Sequence, residues 1–375
     1  MTWLYQETRW PEFTWDGARL APKLAAVRHR QGRLLGRMEA LGFALRQEAS
    51  LDTLATDVIK SSAIEGELLN ADQVRSSLAR RLGLDIAGLV PASRDVEGMV
   101  DMMLDATQRH AAPLSAERLF DWHAALFPTG RSGMRTITVG AWRPASAGAM
   151  QIASGAMGRE RVHFEAPPAE TLDAEMTAFL GWFEGNRETD PVLKAAIAHL
   201  WFVTIHPFED GNGRIARAIA DMALARADGV RERYYSMSAQ LERERKTYYT
   251  RLERQQRGTV EISRWLEWFL DCLDRALGHA EGALESVMFK VRFWEHANRF
   301  SLNERQRQVL NRMLNGFEGH LNTSKYARLA KCSTDTALRD IRTLLDHGLI
   351  VRNPAGGRST SYRLVSLEEL AAKGG

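Results

Sequence analysis

At 375 residues the chain is long enough for two or three domains. Its 45% hydrophobic and 26% charged residues are the balance of a soluble globular protein, and a net charge of +3 argues against a general nucleic-acid binder. Cys272 and Cys332 are far apart and form no metal-binding pattern, which suggests a reduced, cytoplasmic protein without structural disulfides. The N-terminal MTWLYQETRWPEF has no basic segment followed by an apolar one, so no signal peptide is expected. The most apolar run, 195–205, carries His199 and is too short for a bilayer, so no membrane partner is expected either.

In chain order, apolar residues at helical spacing (Leu20, Leu24, Val27, Leu34, Leu35, Met38, Leu41) predict one helix from Gly17 to Gln47. A second fits Leu51–Ser61 and stops near Gly66, and two more fit 95–110 and 115–126. Between Thr136 and Pro168 the alternating runs TITVGAW and RVHFEA predict the short strands of a hairpin, closed by Pro167–Pro168. Helices resume over Leu172–Glu184 and from Pro191 to His206, with Asp190 as N-cap and Pro207 as the stop. Another spans Arg214–Arg226 and ends at Gly229. No internal repeat is present.

The stretch HPFEDGNGRIAR, 206–217, joins two of these helices through a Gly-rich loop. Such a loop opening onto a helix N-terminus is an anion site, because glycines admit phosphate to the backbone, unpaired N–H groups face it, and the dipole favours negative charge. Arg214 and Arg217 lie one turn apart and can face one phosphate chain. Asp210 is a hard oxygen ligand suited to Mg2+. His206, with an ordinary pKa near neutrality, is the natural general base, and Phe208 reads as a buried wedge. Singly, each has a bland reading as cap, turn or solvated cation. Their union within twelve residues points to nucleotidyl or phosphoryl transfer.

The stretch resembles the signature of the Fic (Fic/Doc) family, His-x-Phe-x-(Asp/Glu)-Gly-Asn-Gly-Arg-x-x-Arg, at every fixed position. The resemblance implies a mainly α fold, with a helical core and a β-hairpin flap, that transfers AMP from ATP to a Ser, Thr or Tyr hydroxyl of a protein. It implies His206 as base, Asp210 as Mg2+ ligand, Gly211, Asn212 and Gly213 as anion cradle, and Arg214 and Arg217 on the β- and γ-phosphates. Retention of both arginines favours AMP transfer over the phosphate transfer of Doc-type kinases. The segment 150–168 sits where the family carries its flap, which pairs with the backbone of the protein substrate. Val162, His163, Phe164 and Glu165 correspond to its nucleotide side. KTYYTRLERQQ, 246–256, resembles the adenosine-side segment, implying Tyr248 and Tyr249 against the base and Gln256 bonded to it; for the tyrosines, ordinary helix packing is an equal alternative.

SSAIEGE, 61–67, matches the family's inhibitory signature through Ser61, Glu65 and Gly66. The resemblance implies that Glu65 pairs with Arg217 and keeps the γ-phosphate out, so that ATP binds without its α-phosphate in line. The same Glu65 in some family members supports removal of AMP, so a de-AMPylating phosphodiesterase stays open. A DNA-binding regulator using the site as a nucleotide sensor also stays open.

Residues 303–363 read as a separate unit. Helices are expected over Glu304–Leu314, over Lys325–Ala330 after the cap Thr323, and over Thr334–Asp346 after the cap Ser333, followed by strands at 349–351 and 361–364 around a turn at 354–358. This order resembles a winged helix. Eleven Lys and Arg against five Asp and Glu suit phosphate contacts, with Thr336, Arg339, Arg342 and Arg358 as the DNA-facing set; a protein partner is nearly as good a reading. The expected organisation is a helical region with the inhibitory motif over 1–100, the catalytic core over 101–285, a connecting helix or linker over 286–302, and the winged helix over 303–375. A homodimer is compatible with it.

Overall fold

Helices account for most of the structure, and their starts and stops follow the capping residues. The computed structural model describes residues 2–84, 89–154, 161–314, 320–354, 360–366 and 369. The chain divides into two units, Met1–Ala280 and Glu281–Gly375.

The first unit holds α1 (Gly17–Glu39), α2 (Phe43–Ile64), α3 (Ala71–Leu82), α4 (Arg94–Gln108) and α5 (Ala116–Leu126). Then come β1 (Arg131–Ser132), β2 (Arg135–Thr136), β3 (Gln151–Ser154) and β4 (Arg161–Glu165). After these come α6 (Leu172–Gly185), α7 (Pro191–Ile205), α8 (Asn212–Asp228), α9 (Met237–Arg243) and α10 (Arg245–Gln256), and α11 (Ser263–Ala297) begins in this unit.

Three expectations are corrected. The helix expected over 17–47 breaks earlier, at 40–42, where Gly42 is extended as the N-cap of α2; α2 then runs unbroken through 48–50. TITVGAW is not a strand of the hairpin. Only Arg135–Thr136 pairs, and it pairs with Arg131–Ser132. The rest of that run packs against the signature loop: Thr138 N–H donates to Glu209 Oε2 (2.6 Å) and the Trp142 ring lies 5.1 Å from that of Phe208. The partner of Arg161–Glu165 is instead Gln151–Ser154, antiparallel, with a bulge between Ile152 and Ala153. Elements not anticipated include α3, capped by Asn70 and stopped by Gly83 at φ +68, α9, and the full length of α11, whose end alone falls in the linker expected at 286–302.

α7 and α8 form the centre of this unit. Every residue of α7 from Val192 to Ile205 except Lys194 is buried, which is why its sequence is apolar all round rather than striped. Asp190 Oδ1 accepts from Val192 N (2.8 Å) with Pro191 in the first turn, as the sequence predicts. α8 buries Ile215, Ile219, Met222 and Leu224. Each such side chain contributes about 1.5–3 kcal/mol when fully buried, so the helix pair bracketing the signature loop is held firmly.

The second unit contains α12 (Glu304–Leu314), α13 (Thr323–Leu329), α14 (Thr334–Asp346), β5 (Ile350–Arg352) and β6 (Tyr362–Leu364), the two strands antiparallel. Leu321 bridges to Tyr362. Phe293, Val309, Leu310, Tyr326, Ile341, Leu344 and Ile350 form its core. Ser333 caps α14 as expected, accepting from Thr336 N (3.3 Å). α13 is capped by Asn322, which accepts from Lys325 N (2.8 Å), and not by Thr323, which is its first helical residue. Arg339 and Arg342 are exposed on α14 and Thr336 is half-buried; Arg358 lies outside the described residues.

Candidate active site

The signature loop is built by the end of α7 and the start of α8. α7 ends on His206 in the left-handed region, at φ 52. A non-glycine residue there costs on the order of 1–3 kcal/mol, so the surroundings must impose it. They do. Arg143 Nε donates to the His206 carbonyl (2.9 Å), Arg143 N to the Pro207 carbonyl (2.8 Å), and Phe208 N to Asn212 Oδ1 (3.0 Å), while Asn212 Nδ2 returns a bond to the Phe208 carbonyl (2.8 Å). Asn212 therefore clasps the loop, and its side chain is fully engaged there. Phe208 is the buried wedge expected, stacked on His123 with centroids 4.2 Å apart.

His206 is buried and its Nδ1 lies 3.2 Å from the Val203 carbonyl. A carbonyl only accepts, so Nδ1 carries the proton and Nε2 is the basic nitrogen. Burial pushes the imidazole pKa down to about 4, helped by Arg143, so the ring is neutral at physiological pH and ready to take a proton.

α8 begins at Asn212 with Gly211 as its N-cap, at φ +81 and without side-chain capping. A Cβ on Gly211 would come within 2.9 Å of the Phe127 ring. At Gly213 a Cβ would collide with the Glu65 carboxylate, so that carboxylate lies against the first turn of α8, where a helix attracts an anion. Arg217 is 2% exposed and points all its bonded donors at the end of α2: Nη1 to Glu65 Oε1 (2.8 Å), Nε to Ser61 Oγ (2.9 Å), Nη2 to the Ser61 carbonyl (2.8 Å). Burial opposes the charge of Glu65, yet the Arg217 guanidinium, with Arg214 near and the Tyr249 hydroxyl 3.3 Å away, holds its carboxyl below the usual range. Gly66 follows at φ +89 and turns the chain away.

Asp210 is half-exposed at the loop mouth. Its carboxylate accepts from the Ser132 hydroxyl and from Gly211 N (2.5 Å). Among the described residues no group of three or more His, Cys, Asp or Glu could hold a metal by itself. One accessible carboxylate does fit Mg2+, which keeps waters and takes its other ligands from phosphates.

On the flap, Arg257 donates to the Val162 (2.8 Å) and His163 (3.1 Å) carbonyls and Glu253 Oε2 lies 3.0 Å from His163 Nδ1, so the end of α10 holds β4. Phe164 is buried against Trp3 (5.3 Å), and Glu165 accepts from Gln151 (2.6 Å). All four residues of β3 are exposed. The downstream segment splits by helical phase: Tyr248 is buried with its hydroxyl 2.9 Å from His199 Nε2, and Gln256 is buried with Nε2 3.5 Å from the Val203 carbonyl. Tyr249 is 39% exposed and stands beside Glu65. Four residues that the sequence reading did not single out complete the setting: His123, which bonds to the Asp210 carbonyl (3.2 Å), Arg143, Ser132, and Glu67, which pairs with Arg214 at 2.5 Å.

The Fic/DOC family profile matches residues 113–224, which contain this loop and flap, and a domain of unknown function (DUF4172) matches 3–84, which contain the Glu65 segment. Residues 113–224 are a Fic/DOC domain. The similarity to individual proteins is modest. Protein adenylyltransferase fic-1 of Caenorhabditis elegans is 30% identical over 173 residues, 45% of this chain and 31% of that protein. A uridine 5'-monophosphate transferase of Xanthomonas campestris is 43% identical over 68 residues, 16% of this chain and 12% of that one. The chain thus spans a third or less of the length of these relatives. A Fic family protein from Desulfovibrio desulfuricans shares the fold, with a TM-score of 0.51 at 21% identity over 92% of this chain and 96% of that one. The matched region thus holds the Gly-rich loop and the start of α8, with a carboxylate from outside the region lying against them.

Proposed function

We propose that the chain transfers AMP from ATP to a Ser, Thr or Tyr hydroxyl of a protein, itself included, and that Glu65 holds the reaction off. The observation that carries this reading is the neutral His206 beside a helix N-terminus whose anion position and whose Arg217 are taken by one carboxylate. In the transfer, the target oxygen forms a bond to the α-phosphorus, the bond from that phosphorus to the bridging oxygen breaks, and pyrophosphate leaves. The proton of the hydroxyl passes to His206 Nε2. The first-turn amides of α8 hold the phosphates and Arg214 and Arg217 carry their outer charge. Asp210 would hold Mg2+, which would supply positive charge against the phosphates. Tyr249 is the accessible member of the base-side set, with Tyr248 and Gln256 behind it. The open edge of β3 offers backbone groups to an extended segment of the target protein.

One relative is named an adenylyltransferase and another a uridine 5'-monophosphate transferase, so the shared part of the reading is nucleoside monophosphate transfer, and ATP is the nucleotide to try first. Intact-mass analysis after incubation with ATP and Mg2+ tests it. A mass increase equal to one AMP, present in Glu65→Gly and absent in Glu65→Gly/His206→Ala, is expected. No increase with any of the four common nucleoside triphosphates would sink the proposal.

A second reading concerns the second unit alone: a winged helix whose α14 enters the DNA major groove. The exposed Arg339 and Arg342 on that helix and the basic balance of 303–363 favour it.

A further inference from the structure

Beyond Ile64 the chain turns at Gly66, with Glu65 N and Glu67 N both donating to the Ser62 carbonyl (3.0 and 3.1 Å). The carboxylates on either side of Gly66 both reach the first turns of α8, where they meet different arginines. Glu65 takes Arg217. Glu67 Oε2 takes Arg214 Nη1 at 2.5 Å. Arg214 is only 5% exposed in its side chain; its guanidinium lies over the Phe127 ring at 5.0 Å, with Nη2 3.9 Å from Asp210. Its Nε is buried without a hydrogen-bond partner among the described residues. Arg214 also lines a cavity of about 340 Å3 with Ser62, Glu67, Arg131 and Ser132. Arg214 is thus fixed in place, its charge answered chiefly by one carboxylate that belongs to the inhibitory segment.

The two acids differ in how easily they leave. Glu65 is wedged against Gly213 and about a third exposed, whereas Glu67 is about half exposed and only its tip is engaged. Burial pushes the Glu67 carboxyl above the usual range despite Arg214, with Asp210 and Glu65 adding to the rise. Glu67 is thus the more accessible of the two carboxylates.

We propose that Glu67 is a second inhibitory residue that competes with the outer phosphates of the nucleotide for Arg214. Glu65 then governs alignment and turnover through Arg217, and Glu67 governs how tightly a polyphosphate binds. This rests on the nucleotide reading of the site given above. Because the competition is for phosphates beyond the first, it applies to ATP and not to AMP.

Isothermal calorimetry of the full chain with Mg·ATP and with AMP tests it, using wild type, Glu67→Gln and Glu65→Gly. Glu67→Gln keeps the shape and removes the charge from a half-exposed side chain, so misfolding is not an issue. The expected result is about fivefold tighter Mg·ATP binding, the upper end for an exposed pair, with AMP affinity unchanged. In Glu65→Gly/Glu67→Gln, labelling should show a lower KM for ATP than in Glu65→Gly at the same kcat. An unchanged ATP affinity, an equal gain for AMP, or a gain in kcat instead of KM would overturn the assignment. If ATP binds none of the variants, the nucleotide reading itself fails and this inference with it.

Discussion

Replacing Glu65 by Gly removes the carboxylate that both lies against the first turn of α8 and bonds to Arg217. Arg217 makes three bonds to the end of α2, one of them to a charged partner. A hydrogen bond to a charged group contributes about 1.5–3 kcal/mol. The Glu65 side chain is about a third exposed, so solvent screening reduces this to about 1–2 kcal/mol. At about 1.4 kcal/mol per factor of ten, Arg217 becomes roughly 5- to 30-fold easier to redirect toward a phosphate. The same variant loses about 1–2 kcal/mol of stability, since the two bonds that Arg217 donates to Ser61 remain. Activity and stability therefore move in opposite directions, which simple loosening of the fold would not produce. The assay is a labelling time course at saturating ATP by intact mass, with a thermal melt of the same sample. Labelling should rise roughly 5- to 30-fold while the melting temperature falls by a few degrees. Arg217→Ala should be slow in either background. Unchanged labelling in Glu65→Gly, with ATP binding shown by calorimetry, refutes the reasoning.

Three further outcomes are expected. Because burial holds the His206 pKa down to about 4, labelling by Glu65→Gly should keep its rate as pH falls from 8 to 5 and decline only below; an acid limb centred between 6 and 7 would mean that another group is the base. Asp57 is fully buried and its carboxyl is raised far above the unfolded value of about 3.9, by burial first and by Asp221 second. Its contribution to stability is fully present below that unfolded value and is lost as pH rises through the folded one. Asp57→Asn should therefore gain melting temperature relative to wild type at pH 8 but not at pH 4, and a difference independent of pH would contradict this. In the second unit, Arg339→Ala/Arg342→Ala should lower the log–log salt slope of DNA binding by about two; a mobility shift indifferent to salt and to both changes would leave a protein-docking role.

How far the site could be read from sequence depends on where its parts lie in the chain. His206, Asp210, Gly211 to Gly213, Arg214 and Arg217 sit within twelve residues, so loop and helix geometry alone bring them together. Glu65 lies 152 residues from Arg217 and was legible only because its short motif resembles a known one. His123, Arg143 and Ser132 reach the loop from elements 63 to 87 residues away, carry no local pattern, and were missed. TITVGAW misled because its alternation reads as a strand, whereas beyond Thr136 the run packs against the signature loop through Thr138 and Trp142. Tyr248 and Tyr249 could not be separated by type. Helical phase separates them, since adjacent residues point about 100° apart, and only the packing of α10 says which one faces inward.

The seating of α2 follows from the same periodicity. Asp57, Ser61 and Glu65 fall every fourth residue on α2, and Arg217 and Asp221 are four apart on α8. The two rows face each other: Arg217 bonds to Ser61 and Glu65, and the field of Asp221 raises Asp57. Asp221 is in turn paired with the buried Arg233 at 3.1 Å, and Asp57 accepts from Ser238 N at 3.3 Å at the start of α9. Apolar packing between two helices tolerates a small slide or rotation, because one methyl group replaces another. A buried row of charges and hydroxyls does not, since a one-residue rotation of α2 would turn Asp57, Ser61 and Glu65 away together and leave Arg217 buried without a partner. That is a physical reason for polar residues along this contact. They fix the register that lays one carboxylate on Gly213, and a ligand that draws Arg217 away removes a member of the row that holds α2 in place.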